Sequence, residues 1–156
     1  MKEEELPLTI REATKKDVPV IVQLLADDQL GKNRESTEGE LPQEYYEAYE
    51  KIHADQNQEL IVVERQGEII GTLQLSFIPY MTHQGSLRAQ IEGVRIRSDM
   101  RSLGIGKSMI QWAVNRAKER GAHMLQLTTD NRRKGAIAFY EEMGFKATHQ
   151  GMKLTL

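Results

Sequence analysis

Residues Arg101-Ser102-Leu103-Gly104-Ile105-Gly106-Lys107-Ser108 link a strand-like segment ending near Arg97 to an amphipathic helix, and a turn of this composition is suited to an anion. Two glycines spaced two apart let the backbone approach a ligand closely, while the helix that follows presents free N–H groups and the positive end of its dipole. Phosphate is the expected guest. Gly106-Lys107-Ser108 matches the end of a Walker A loop, but that pattern needs a glycine five positions before Gly106, where Arg101 stands. A dinucleotide fingerprint fails as well, because Met109 occupies the place of its third glycine. What remains is Arg-x-x-Gly-x-Gly, entered from a strand and opening a helix.

Proton chemistry could come from Glu92 and Tyr140. Glu92 lies among Ile91, Val94 and Ile96, and strict alternation puts it on the face of Val94 and Ile96 unless a bulge at Gly93 intervenes. It reads either as a base or as a solvated strand carboxylate. Tyr140, beside Ile137 and Phe139, is either a core aromatic or a hydroxyl that needs a partner when buried. Asn131 could cap a helix beginning at Arg132 or touch a ligand, and the two roles are compatible. His83 and His123 are poorer candidates, and the four histidines show no ligand spacing, so no metal is expected. With no cysteine there is no disulfide, no thiolate metal site and no catalytic thiol, so any acyl transfer is expected to be direct.

The loop resembles the pyrophosphate loop of the GCN5-related N-acetyltransferases (GNAT family), whose motif is Gln or Arg, two residues, Gly, any residue, then Gly or Ala. Asn131 followed by Ala136, Ala138, Phe139, Tyr140 and Gly144-Phe145 is similar to that family's second signature. Ile10-Arg11-Glu12-Ala13-Thr14 with Asp17 looks like its opening strand and helix cap. The resemblance implies acetyl-CoA as cosubstrate, held by Arg101, Ser102, Leu103, Gly104, Ile105, Gly106, Lys107 and Ser108, by the backbone of Val94, Arg95 and Ile96, and by Asn131. It places Tyr140 by the coenzyme A sulfur and Glu92 as general base, acting directly or through water. It also implies a small-molecule or peptide amine as acceptor, and dimers are common in the family.

These residues need positioning elements. Leu8 to Arg11 reads as a strand, and Thr14 with Asp17 as a capping-box start to a helix buried through Val18, Ile21, Leu24 and Leu25, with Pro19 forcing a start later than the cap suggests. Lys32 to Pro42 reads as a loop and Gln43 to His53 as a helix. Glu59 to Glu64 and Glu68 to Tyr80 form a hairpin turned at Gln66-Gly67, and a turn near His83-Gln84-Gly85 leads into a strand from Arg88 to Arg97. A helix from Ile105 to Arg120 buries Ile105, Met109, Trp112, Ala113 and Ala117 and stops at Gly121, so the strand at 124–128 is expected parallel to the one before it. A helix at 132–143 and a strand pair at 145–148 and 152–156 complete the chain. The expected fold is α/β (α+β): a GNAT-like, mixed and mainly antiparallel sheet, splayed between 88–97 and 124–128 and flanked by helices.

The 156 residues suit one domain spanning 1–156. No apolar run reaches the roughly 20 residues of a bilayer span, and the acidic start Lys2-Glu3-Glu4-Glu5 is unlike a signal peptide, so a cytoplasmic protein without membrane association is expected. Net charge is −2, but residues 1–65 carry 8 Lys or Arg against 16 Asp or Glu, whereas residues 88–134 carry 11 against 4. A basic segment suits a polyanionic cofactor, and the acidic one either attracts a cationic substrate or forms solvated faces. The expected function is acetyl transfer to an amine. Its rivals are an NTP-binding protein built on Gly106-Lys107-Ser108 with Asp130 as a Walker-B-like acid, and an acetyltransferase-like regulator using Arg95, Arg97, Arg101, Arg116, Arg132 and Arg133. Nucleic acid binding ranks lowest, since no helix-turn-helix is evident and the total charge is negative.

Overall fold

A computed structural model describes residues 7–28 and 30–156. Strands β1 (Leu8–Glu12), β2 (Gln58–Arg65), β3 (Glu68–Pro79), β4 (Leu87–Ile96) and β5 (Met124–Gln126) form one sheet in sequence order. The first four are antiparallel; the long segment 13–57 separates β1 from β2, short turns join β2 to β3 and β3 to β4, and Gln66 and Gly67 turn the β2–β3 hairpin with φ of 53° and 76°. The segment at 82–85 is a turn rather than a helix, because His83 and Gln84 are left-handed, with φ of 51° and 63°. Helix α3 (Ile105–Glu119) carries the chain across to β5, which therefore runs parallel to β4.

Period-two alternation gives the sheet two faces. Leu73, Leu75, Phe77, Ala89 and Ile91 are buried on one, against the α3 stripe Ile105, Met109, Ile110, Ala113 and Ala117. Trp112, expected in that stripe, is only half-buried, and Ile110 is buried in addition. On the other face α1 (Val18–Ala26) covers Val62, and α2 (Gln43–Ala54) packs Tyr49 on Val18 and Val22. The α1 entry follows the expected capping box: the Thr14 N–H donates to Asp17 Oδ2 at 2.7 Å. A single 3-10 turn intervenes before α-helical geometry begins at Val18, so Pro19 stands in the first turn, where it forfeits no intrahelical bond. Helix α3 ends as read, with Gly121 at φ 76° and the Ala122 N–H returning to the Ala117 carbonyl at 2.9 Å.

Three expectations near the C-terminus are corrected. Helix α4 is Ala136–Glu142, four residues later than Arg132, and Gly135 is its N-cap with φ 82°. Asp130 organises the preceding turn instead, its Oδ1 accepting the Arg132 N–H at 2.9 Å, so Asn131 is not a helix cap. Among the described residues no helix or strand follows Glu142, so the pair at 145–148 and 152–156 does not form. Strand β5 is left as the edge of the sheet, and Met152, Leu154 and Leu156 are left almost wholly exposed. No helix among the described residues is long and apolar enough to cross a membrane, and the acidic Lys2–Glu5 start lies outside them.

Arg11 clamps β1 to β2 and to the α1 entry, reaching Asp17 Oδ2 at 2.7 Å and Glu64 Oε1 at 2.8 Å. The hydrogen bond from Arg11 holds the Asp17 carboxyl below its ordinary range, overcoming the opposing effect of burial. A depressed native value stabilises the fold above the unfolded value of about 3.9 and loses that contribution as pH falls through the native one. Asp17→Asn is expected to cost about 2 kcal/mol at pH 7. By urea denaturation the gap between wild type and variant should close on acidification; a gap constant from neutral to acidic pH rejects this account.

Candidate active site

Gly71 pairs Ile96 and Thr72 pairs Arg95, but Gln74 pairs Glu92, so Gly93 and Val94 together oppose one residue of β3. This is a β-bulge, and Gly93 takes φ 60°, which a side chain would resist. The extra residue resets the alternation. Glu92 and Arg95 both lie on the face of Gln74 and Thr72, whereas Val94 and Ile96 pack into the core under α3. Uninterrupted alternation placed Glu92 with Val94 and Ile96; the bulge corrects that expectation.

The face that Glu92 joins is a polar floor. Glu92 is exposed, and its Oε1 accepts from Gln90 Nε2 at 2.6 Å, while Gln90 Oε1 accepts from Gln126 Nε2 at 2.8 Å. Gln74 Nε2 and Ser76 Oγ both donate to Gln58 Oε1, at 2.8 and 2.6 Å. Sequence reasoning did not single out these glutamines. Their signal was the polar set 74, 76, 90 and 92 alternating with the apolar set 73, 75, 77, 89 and 91.

Strand β5 pairs β4 only from Arg88 to Gln90, so beyond that point the outer edge of β4 has no neighbouring strand, and the expected splay is present. Guanidinium groups meet this edge: Arg95 Nη1 donates to the Val94 carbonyl at 2.8 Å and Arg101 Nε to that of Ile96 at 3.3 Å. The loop 101–104 continues from it. Gly104 caps α3 with φ 80°, and the first intrahelical bond runs from the Ser108 N–H to the Gly104 carbonyl at 3.2 Å. The N–H groups of Ile105, Gly106 and Lys107 therefore have no acceptor within the helix and form its positive end.

The two glycines of the loop serve different ends. A Cβ at Gly104 would meet nothing within 4 Å, so its glycine answers to conformation and to whatever approaches from outside. A Cβ at Gly106 would stand 3.2 Å from Ile96 Cδ1 and 3.4 Å from Phe139 Cζ. Gly106 is thus needed for the close packing of α3 on β4 and α4. Half-exposed Arg101 also donates to the Asp27 carbonyl at 2.8 Å, and Lys107 Nζ reaches Glu142 Oε1 at 3.1 Å, tying α3 to α4. Ser102 has φ 65°, Leu103 is exposed, and the Ser108 hydroxyl returns to the Gly104 carbonyl at 3.3 Å.

Tyr140 stands half-buried on α4, its ring set edge-on to Phe139 and Phe145 at 5.1 and 5.6 Å. Burial pushes its phenol up from the ordinary value, while the positive charges of Arg95 and Arg133 pull the other way. It stays a neutral donor at physiological pH. Asp28, just beyond α1, lies between those arginines: its Oδ2 is 3.2 Å from Arg95 Nε and bonded to Arg133 Nη1. Burial raises the Asp28 carboxyl, but the Arg133 hydrogen bond and the adjoining charges leave it below its usual range. Asp28 and Arg133 were not singled out from sequence as a pair, since 105 residues separate them. Asn131 is exposed in the turn before α4.

A family model described as "Acetyltransferase (GNAT) family" matches residues 23–145. A protein of Bacillus halodurans C-125 described as a transcriptional regulator is 52% identical, with a TM-score of 0.93 over 96% of this chain and 100% of that one. Aminoalkylphosphonate N-acetyltransferase of Salmonella typhimurium is 29% identical over 54% of this chain and 54% of its own length. Glucosamine 6-phosphate N-acetyltransferase of Trypanosoma brucei brucei is also 29% identical, over 58% of this chain and 59% of its own. The chain thus spans little more than half the length of these two enzymes.

Gly106→Ala is expected to lower stability by about 1–3 kcal/mol through overpacking against Ile96. Ile96→Val removes the methyl that would be struck, so the double variant should lose less than the sum of the two single changes. Thermal denaturation of the four proteins measures this coupling. Strict additivity would show that Gly106 is not a packing residue.

Proposed function

This chain belongs to the GNAT family of acetyltransferases, and on that premise we propose that it moves an acetyl group from acetyl-CoA directly to the primary amine of a small molecule. The observation that carries this reading is the Gly93 bulge, which sets Glu92 on the polar floor next to Arg95 at the open edge of β4. The names of the Salmonella and Trypanosoma relatives point to small amines as their acceptors, which supports the same class here.

Acetyl-CoA supplies the thioester. The N–H groups opening α3, with Arg101 at the loop entrance and the backbone of residues 102–104, suit its pyrophosphate, and the unpaired edge at Val94 to Ile96 suits the arm that follows, with Asn131 nearby in sequence to α4. Lys107 is engaged by Glu142 and contributes its backbone N–H rather than its ammonium. Glu92 accepts the proton that a protonated amine must lose before attack, and its exposure lets that proton pass to water. A backbone N–H at the bulge, from Val94 or Ile96, faces the charge that gathers on the carbonyl oxygen. Tyr140 donates its phenolic proton to the sulfur as the carbon–sulfur bond breaks and the carbon–nitrogen bond forms, and regains a proton from solvent. With no cysteine in the chain, no acyl-thiol enzyme is formed.

The NTP reading lacks its first glycine and its lysine is paired. The Bacillus relative's description favours a regulator, but four of the arginines such a role would use are engaged: Arg97 with Asp99 and Glu68, Arg116 with Glu59, Arg132 with Asp130, and Arg101 with the Asp27 carbonyl. We read the exposed apolar side chains of Met152, Leu154 and Leu156 as a contact for a second copy of this chain. Leu154→Lys should then shift a dimer toward monomer in light scattering, and a wild-type monomer at high concentration rejects it.

Calorimetry should show acetyl-CoA binding to wild type, and Gly104→Val, which thrusts a branched side chain outward at φ 80°, should abolish it. Tyr140→Phe keeps the ring contacts and should lower kcat by about 10² to 10⁴ with little change in KM for acetyl-CoA. Glu92→Gln should also lower kcat, and with a weakly basic acceptor such as an aniline it should recover more than the tyrosine variant. A Tyr140→Phe enzyme with near wild-type kcat, when chemistry is rate-limiting, reduces the tyrosine to a packing residue.

A further inference from the structure

Neither pyrophosphate binding nor proton transfer accounts for the cluster of Arg95, Asp28 and Arg133. Arg95 leaves the bulge on the face of Glu92, with its side chain only 12% exposed. One of its nitrogens is used by the Val94 carbonyl, and its buried Nε lies 3.2 Å from Asp28 Oδ2 without making a hydrogen bond. Arg133, from the turn before α4, also directs Nη1 at Asp28 Oδ2 and is 28% exposed. Two guanidinium groups thus share one carboxylate. The adjoining Arg34 is already matched by Glu35 at 2.8 Å, so one positive charge is in excess.

An uncompensated charge held away from water is costly, and pinning the loop after α1 to the sheet would need one arginine for one aspartate. Donors are also left over. Among the described residues, Arg95 Nη2 and the Nε and Nη2 of Arg133 have no protein acceptor. A planar fork with spare N–H groups is the side chain best matched to a carboxylate, phosphate or phosphonate.

Resting on the acetyltransferase reading above, we propose that Arg95 and Arg133 form an anion subsite for the acceptor, so that the substrate is a small amine carrying an acidic group. Its nitrogen meets Glu92 and its acid meets the two guanidinium groups, Arg95 on the Glu92 face of β4 and Arg133 joined to it through Asp28. Asp28 holds both arginines in place and keeps the site from binding anions indiscriminately. The cofactor's phosphates are the other source of an anion. They are taken at the α3 N-terminus, on a separate element, and the two sources separate by which KM responds.

The test compares 2-aminoethylphosphonate, β-alanine and propylamine as acceptors. Wild type should favour at least one acid-bearing amine over propylamine in kcat/KM. Arg133→Gln should cut that preference by about 10- to 100-fold, chiefly through acceptor KM, the loss of one charge-assisted contact. Arg95→Lys retains the charge without the fork and should cut it less, and its melting curve shows whether the fold is kept. A wild type that uses propylamine as well as the acids overturns the subsite while leaving acetyl transfer standing. A rise confined to KM for acetyl-CoA assigns the arginines to the cofactor, and equal losses on all three amines make them structural; either result overturns it too. Transfer to no amine, with no heat on adding acetyl-CoA, overturns the parent reading as well.

Discussion

Gly93 at φ 60° is the point on which the site depends, because one extra residue in β4 reverses every side chain on one side of it relative to the other. Before the bulge, Ala89 and Ile91 fill the core and Gln90 and Glu92 face away. After it, Val94 and Ile96 return to the core while Arg95 takes the outer face. A regular strand would have put either the acid or the arginine into the apolar layer beneath α3, at the cost of burying a charge. The bulge lets one strand serve the core and the chemistry together, and the early end of β5 frees its edge alongside.

Charge segregation along the chain turns into contact in the fold. The acidic first half and the basic second half meet in the fold: Asp28 with Arg95 and Arg133, Glu59 with Arg116 and Arg120, and, at the longer distance of 4.0 Å, the Asp27 carboxylate with Arg101. Asp28 and Glu59 are thereby committed to arginines of the second half rather than left free to draw a cation. Near Tyr140 the guanidinium groups of Arg95 and Arg133 outnumber the one carboxylate of Asp28, which suits the acidic group proposed for the acceptor.

Local packing also redistributes the roles of the loop. Gly104 and Gly106 look equivalent in sequence, yet one answers to backbone conformation and the other to the methyl of Ile96 and the ring of Phe139. Lys107, poised in sequence to reach a phosphate, instead ties two helices that flank the cleft. These assignments depend on which neighbours arrive from β4 and α4, and no spacing rule contains them.

By itself the sequence determined the antiparallel run from β2 to β4, the hairpin at Gln66-Gly67, the capping box at Thr14 and the α3 boundaries with their glycine entry, because each rests on short-range patterns of turn residues, caps and periodicity. It also marked Glu92, Gly93 and Tyr140 as residues out of keeping with a plain core. Tertiary structure alone decided the face on which Glu92 lies, the late start of α4 at Ala136, the failure of the last strand pair to form, and the meeting of Asp28 with Arg133. Those outcomes turn on strand register, on an unoccupied sheet edge and on a contact between residues 105 positions apart, and such long-range pairings are set by the packing of the whole chain rather than by any local pattern.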